Sequence, residues 1–166
     1  MTTMANTQDW RYKHAGLMAF SQVGEYVDDP EKIRPIMPSV IAHTKDPNPK
    51  IRYASLHAIG QISDDMPEDF PQTFSYEVLP CLYEAVDDQI PRVAAHACAA
   101  LSNFMEGYKG EVNPELLKSF CQKLVTLIQN GCSLVKENAV TSLAAVAEQV
   151  KEAFTPFFID TLKILV

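Results

Sequence analysis

Ile51-Arg52-Tyr53-Ala54-Ser55-Leu56-His57-Ala58-Ile59-Gly60-Gln61-Ile62 is the stretch on which the reading of this chain turns. Ile51, Leu56, Ile59 and Ile62 recur at steps of three to five, with Ala54 and Ala58 between them. That is the apolar stripe of an amphipathic helix, and its small residues let a neighbouring helix approach closely. The preceding Asp46-Pro47-Asn48-Pro49 reads as a turn.

The stretch recurs. Forty-two residues on stands Val93-Ala94-Ala95-His96-Ala97-Cys98-Ala99-Ala100-Leu101, and 42 further Val135-Lys136-Glu137-Asn138-Ala139-Val140-Thr141-Ser142-Leu143. Thirty-nine residues before it stands Tyr12-Lys13-His14-Ala15-Gly16-Leu17-Met18-Ala19-Phe20. A period near 40 points to stacked helical pairs of the HEAT or armadillo kind. Between the copies, residues 31–45, 72–86 and 114–129 carry helical stripes of their own, with Pro35, Pro38 and Pro80 demanding an early-turn position or a kink. The fold expected is all-α: an α-solenoid of HEAT repeats, about four helical pairs, superhelical. Inner helices are expected at 8–27, 48–65, 89–107 and 132–150, and outer ones at 30–45, 71–86, 113–130 and 152–166. The whole chain is one segment, with units near 1–29 (partial), 30–66, 67–110, 111–150 and 151–166 (partial). Solenoids end in polar capping units, whereas this sequence ends on Leu162-Lys163-Ile164-Leu165-Val166. It therefore reads as excised from a longer solenoid, with a cut apolar face prone to self-association.

The punctuation repeats too. Asp46, Asp88 and Asn130 share a column, each just before an inner helix and each a good N-cap residue. Lys13, Arg52 and Lys136 share another, with Ala94 the exception. The two columns predict a ladder in which a basic side chain reaches the carboxylate of an adjacent unit.

Composition narrows the function classes. The 166 residues are 47% hydrophobic and 21% charged, enough for a sizeable core. The net charge of −7 disfavours nucleic acid and acidic membranes and suits a basic partner. No uninterrupted apolar run approaches the roughly 18 residues of a spanning helix, and MTTMANTQDW lacks the pattern of a secretory signal. Cys81, Cys98, Cys121 and Cys132 form no CxxC pair and read as buried, reduced thiols. His14, His43, His57 and His96 make no metal-like cluster and read as packing or surface residues. Trp10 and Tyr12 read as core or inter-repeat residues. Phosphate-loop, GxSxG and HExxH motifs are all absent, so the expectation is no enzyme, no metal and no cofactor.

The sharpest signal lies at the ends of the inner helices. Glu25, Asp64, Glu106 and Glu148 fall in one column, at separations of 39, 42 and 42. Three residues earlier stand Gln22, Gln61, Asn103 and Ala145, and Asp65 adds an acid beside Asp64. Residues three apart share a helix face. An acid in a last helical turn opposes the macrodipole at a cost of about 0.3–1 kcal/mol, so four in register suggest a compensating gain. Stacked helices stand ~10 Å apart and an extended chain advances ~3.3 Å per residue. Each acid then meets about every third residue of an extended basic peptide, whose backbone the amides can hold.

Four strings carry a resemblance: DWRYKHAGLMAFSQVGE (9–25), DPNPKIRYASLHAIGQISDD (46–65), HACAALSNFMEG (96–107) and VKENAVTSLAAVAEQVKEAFTPFF (135–158). In order, they resemble the central HEAT repeats of the importin-beta superfamily, in its karyopherin beta-3 branch. The resemblance implies a nuclear transport receptor that shuttles between cytoplasm and nucleus. It implies cargo proteins with basic localisation signals bound on a concave inner-helix surface, with Ran-GTP and nucleoporins as partners of the full-length receptor. Its main Ran contacts lie in N-terminal repeats, so tight Ran binding by this stretch is not expected. The matching signal-binding positions are Glu25, Asp65, Asn103 and Glu106, which differ from the column over Asp64 and Asp65. The family tends towards an acid after Glu106, where this chain has Gly107. The competing readings are a scaffold of the phosphatase-subunit HEAT type, in which the acids are only a rim, and an enzyme built on a solenoid.

Overall fold

The computed structural model describes residues 9–155, 158–159 and 163. They form seven α-helices, and among the described residues there is no strand. The helices are α1 (Trp10–Ser21), α2 (Met37–His43), α3 (Pro49–Asp65), α4 (Phe70–Ala85), α5 (Pro91–Gly107), α6 (Pro114–Asn130) and α7 (Ser133–Val150). None of the described helices is long and apolar enough to cross a membrane.

The helices make two layers. In the inner layer α1 packs on α3, α3 on α5 and α5 on α7; in the outer layer α2 lies against α3, α4 against α5 and α6 against α7. This is the α-solenoid arrangement that the 42-residue period predicts. Small residues set the inner spacing. Ala54, Ala58, Ala97 and Ala100 are fully or almost fully buried, and a Cβ on Gly60 would stand 3.1 Å from the Cα of Ala100. Aromatics fill the space between the layers: Phe70 of α4 meets Phe104 of α5 edge-on, 6.1 Å between ring centres. Phe20, Phe74 and Phe120 are also buried, each adding about 1.5–3 kcal/mol by its removal from water.

The column ladder is present between the first units. Lys13 of α1 reaches Asp46 at 3.3 Å, and Arg52 of α3 holds Asp88 through two bonds of 2.6 and 2.9 Å. The capping role expected of that column is not. The N-cap residues of α3, α5 and α7 are Asn48, Ile90 and Cys132. Asp46 and Asp88 stand two residues earlier, where their carboxylates accept the amides of Asn48 and Ile90. The prolines at 47, 49 and 91 hold the chain extended there, so the helix starts later than the acid. Asn130 closes α6 instead and donates to the Thr126 carbonyl.

The first unit also departs from the expected helices. The inner helix expected at 8–27 ends at Ser21, followed by a 3-10 turn over Gly24–Tyr26. Val23 and Gly24 are poor helix formers, and Gly24 is buried under the Asp65 carboxylate. The outer helix expected at 30–45 is a 3-10 turn over Pro30–Ile33 and the short α2. Pro35 offers no amide to continue the first piece, and Pro38 fits only the first turn of the second. By contrast, Pro80 is accommodated inside α4. Of the last expected helix, 152–166, residues 156–157, 160–162 and 164–166 lie outside the described residues, and so does residue 8 at the expected start of the first; Lys151–Phe154 is a 3-10 turn.

Candidate functional site

Each inner helix keeps one face turned away from the outer layer. At ~100° per residue, Tyr53, His57, Gln61 and Asp64 fall within about 80° of one another on α3. Arg92, His96, Asn103 and Glu106 form the matching row on α5. The C-terminal ends of these rows carry the acids and amides; the N-terminal ends carry aromatic and basic side chains.

The three first units build the acidic end in different ways. Glu25 is exposed, but it sits in the 3-10 turn after α1, not in a last helical turn. Asp64 is exposed in the last turn of α3. Asp65 is half-buried and accepts a 2.9 Å hydrogen bond from the Gln61 amide. A Cβ on Gly24 would come within 2.5 Å of its Oδ2, so Asp65 lies directly beside the turn that carries Glu25. The two acids at 64 and 65 thus differ in kind. Asp64 projects into solvent, whereas Asp65 is wired to its own helix and set against the neighbouring unit.

In the third unit Asn103 donates across the inter-helix seam to the Gly60 carbonyl at 3.1 Å. That bond needs the close approach of α5 that Gly60 permits. Glu106 is exposed and accepts weakly from Ser102 at 3.4 Å. Gly107 has a steric reason: a Cβ there would stand 1.8 Å from the Pro67 carbonyl oxygen. In the fourth unit Glu148 is exposed near the end of α7, but the amide position holds Ala145, which is buried. Gln22, after the end of α1, is exposed and donates to Ser21 Oγ at 3.3 Å. The structure therefore joins Asp65 to Gln61, and Asn103 to the residue before Gln61. Glu148 stands apart on a row with no amide.

The aromatic side chains meet their expectations in part. Trp10 and Tyr12 are 38% and 56% exposed rather than core residues. Trp10 still bridges units, since Lys50 Nζ of α3 lies 4.5 Å above its ring. His57 and His96 are more than separate packing residues: their ring nitrogens meet at 3.1 Å, and Tyr53 stacks on His96 at 4.3 Å. Burial, with His57 and Arg92 nearby, pushes His96 down to about 4, and burial lowers His57 too. Their 39-residue separation, three short of the repeat, is the signal that pairs them diagonally across α3 and α5. Cys81, Cys98 and Cys121 are buried and free, whereas Cys132 is exposed. Among the described residues no group of His, Cys, Asp and Glu converges as a metal site.

Residues 10–62 match the HEAT-like repeat family. The chain is 33% identical over 162 residues to importin subunit beta-3 of Saccharomyces cerevisiae (strain ATCC 204508 / S288c), covering 96% of this chain and 15% of that protein. The crystal structure of Kap121p superposes with a TM-score of 0.90 at 32% identity, over 99% of this chain and 16% of that one. Kap121p bound to Pho4p gives 0.91 at 30% identity, with the same coverage. The chain spans about one sixth of the length of these relatives. By this agreement of sequence and fold, it belongs to the importin-beta superfamily, as a HEAT-repeat segment of the karyopherin beta-3 branch.

Proposed function

We propose that this chain is the cargo-reading segment of a nuclear transport receptor, and that it holds basic localisation signals in extended form along the inner-helix face. One observation carries the reading. Three successive units present an exposed acid, Glu25, Asp64 and Glu106, with an amide or a second acid held in place beside it. Asp65 and Asn103 are fixed by contacts to neighbouring units, so the strip is organised before a ligand arrives and little ordering cost remains. Lysine side chains of the ligand meet the exposed acids. The carbonyl oxygens of Gln61 and Asn103 accept from its backbone amides, since their NH2 groups already donate within the protein. The relative bound to Pho4p is consistent with a receptor that takes protein partners. On this reading the parent protein shuttles between cytoplasm and nucleus, and Ran-GTP and nucleoporins engage other parts of it. It needs no cofactor and no catalytic group.

The test is fluorescence anisotropy with a labelled lysine-rich peptide and its Lys-to-Gln counterpart. The wild type should bind the first and not the second. An Asp64→Lys, Glu106→Lys variant should lose that binding. A wild type that is folded but ignores both peptides would favour the scaffold reading, with the acids as a solvated rim.

A further inference from the structure

The inner face has a second end. From Asp64 back to Tyr53 is about 16 Å along α3, at ~1.5 Å per residue. There a recess of about 320 Å³ opens between the starts of α3 and α5, flanked by His14 of α1. Tyr53 and Ile90 supply apolar walls, and Ile90 is 41% exposed. Lys50 and Arg92 stand on the rim, and both are exposed. Each rests on an aromatic ring: Lys50 on Trp10, and Arg92 at 5.4 Å from the centre of Tyr53.

The charge pattern is what singles this recess out. The chain carries −7 overall. Eight other basic side chains, among them Lys13, Arg52 and Lys123, pair with carboxylates. Lys50, Arg92, Lys118, Lys136 and Lys151 meet none among the described residues, and of these Lys50 and Arg92 stand together on one recess. A ring face positions a cation without neutralising it. Two cations about an apolar recess therefore offer charge-assisted hydrogen bonds to an arriving carboxylate.

We infer that this recess is a second subsite for the extended ligand of the inner face, and that it takes an acidic side chain next to an aliphatic one. The inference rests on the peptide-carrying reading above. The carboxylate sits between Lys50 and Arg92, and the aliphatic side chain lies against Tyr53 and Ile90. The recess lies to one side of the line of acids, so the ligand turns after its basic stretch, and the ~16 Å between them equals about five extended residues. The preferred ligand thus has a basic stretch and an acidic-aliphatic stretch about five residues apart, matching a face that is acidic at one end and basic at the other.

The test uses two peptides separately, so that the two subsites succeed or fail apart. The 15N-labelled chain is titrated with a capped Glu-Leu-Glu-Leu peptide, followed by amide spectra. The backbone signals of Tyr53, Ile90 and Arg92 should shift, and those of Asp64 and Glu106 should stay. A Lys50→Gln, Arg92→Gln variant with an unchanged melting temperature should weaken this binding at least five-fold while the lysine-rich peptide still binds. If the double variant does not fold, Arg92→Gln alone makes the same comparison. The Asp64→Lys, Glu106→Lys variant should keep the acidic peptide. The inference is overturned if the wild type shows no shift, if the shifts survive the loss of Lys50 and Arg92, or if inorganic phosphate reproduces them at equal concentration. Failure of the lysine-rich peptide alone would count against the acidic strip and leave the recess result standing.

Discussion

Arg52 of α3 and Asp88 of the loop before α5 form a two-bond ion pair across adjacent units, at 2.6 and 2.9 Å, with side chains only 17% and 10% exposed. The same guanidinium donates to the Asp46 carbonyl at 3.0 Å. One side chain thus fixes two inter-helix loops and the stagger of the inner layer. Arg52→Leu should cost about 1.5–3 kcal/mol, the range for charged hydrogen bonds. Lys109→Gln, which breaks an exposed pair with Glu68, should cost under about 1 kcal/mol. Urea denaturation of both variants measures the contrast; equal effects would mean the ladder does not hold the units.

Acid should unfold the chain in two separable windows. Burial opposes ionisation of Asp88, but the Arg52 guanidinium and the Ile90 amide outweigh it and hold its carboxyl below the usual 3.8. The unfolded state then binds the proton more readily, so this contribution is complete above about pH 4 and is lost as pH falls through the folded value. His96 behaves likewise at higher pH. Its folded value near 4, against 6.5 unfolded, gives stability that is present above pH 6.5 and lost on acidification towards 4. His96→Phe should flatten the stability profile between pH 6.5 and 4, and Asp88→Asn should flatten it below 4.

Gly107 answers to geometry rather than charge. Installing the acid that the family resemblance leads one to expect, by Gly107→Asp, would drive a Cβ to 1.8 Å from the Pro67 carbonyl oxygen. The end of α5 must then move away from the α3–α4 connection. The expected cost is about 1–3 kcal/mol, seen as a lower melting temperature. Unchanged stability would show that this close approach is not obligatory.

Thiol reactivity should divide one against three. Burial raises the Cys98 thiol to about 12 and Cys121 to about 11, and raises Cys81 as well. Cys132 is exposed at the start of α7. A disulfide reagent at neutral pH should titrate one thiol quickly in the native chain and the other three only in urea. Fast reaction of two or more native thiols would contradict the packing.

Much of this was legible in the residues. The spacing of Ile51, Leu56, Ile59 and Ile62 locates α3 to within a residue, and the repeated columns give α5, α7 and the Lys13 and Arg52 ladder. Three things were not. A column counts residues and is blind to the backbone, so Glu25 keeps its register although Gly24 has left the helix. Good capping chemistry at Asp46 and Asp88 served the loops instead, because prolines delayed the helix starts. Asp64 and Asp65 are adjacent in sequence, and only packing against Gly24 and Gln61 tells which is wired in and which is open.

On the proposed function, the exposed acids of the inner face read positive charge in an extended ligand. A charge exchange tests it most directly. Binding of a lysine-rich peptide and of the same peptide with glutamates in place of its lysines would be measured at low and physiological salt. The proteins would be the wild type and a Glu25→Lys, Asp64→Lys, Glu106→Lys variant. On the acidic strip the wild type should bind the lysine peptide, more weakly at higher salt, and the glutamate peptide should leave the amide signals of Asp64 and Glu106 unmoved. The variant should lose that peptide and gain the glutamate one. A lysine peptide that binds both proteins equally would contradict the account and move recognition off the inner strip.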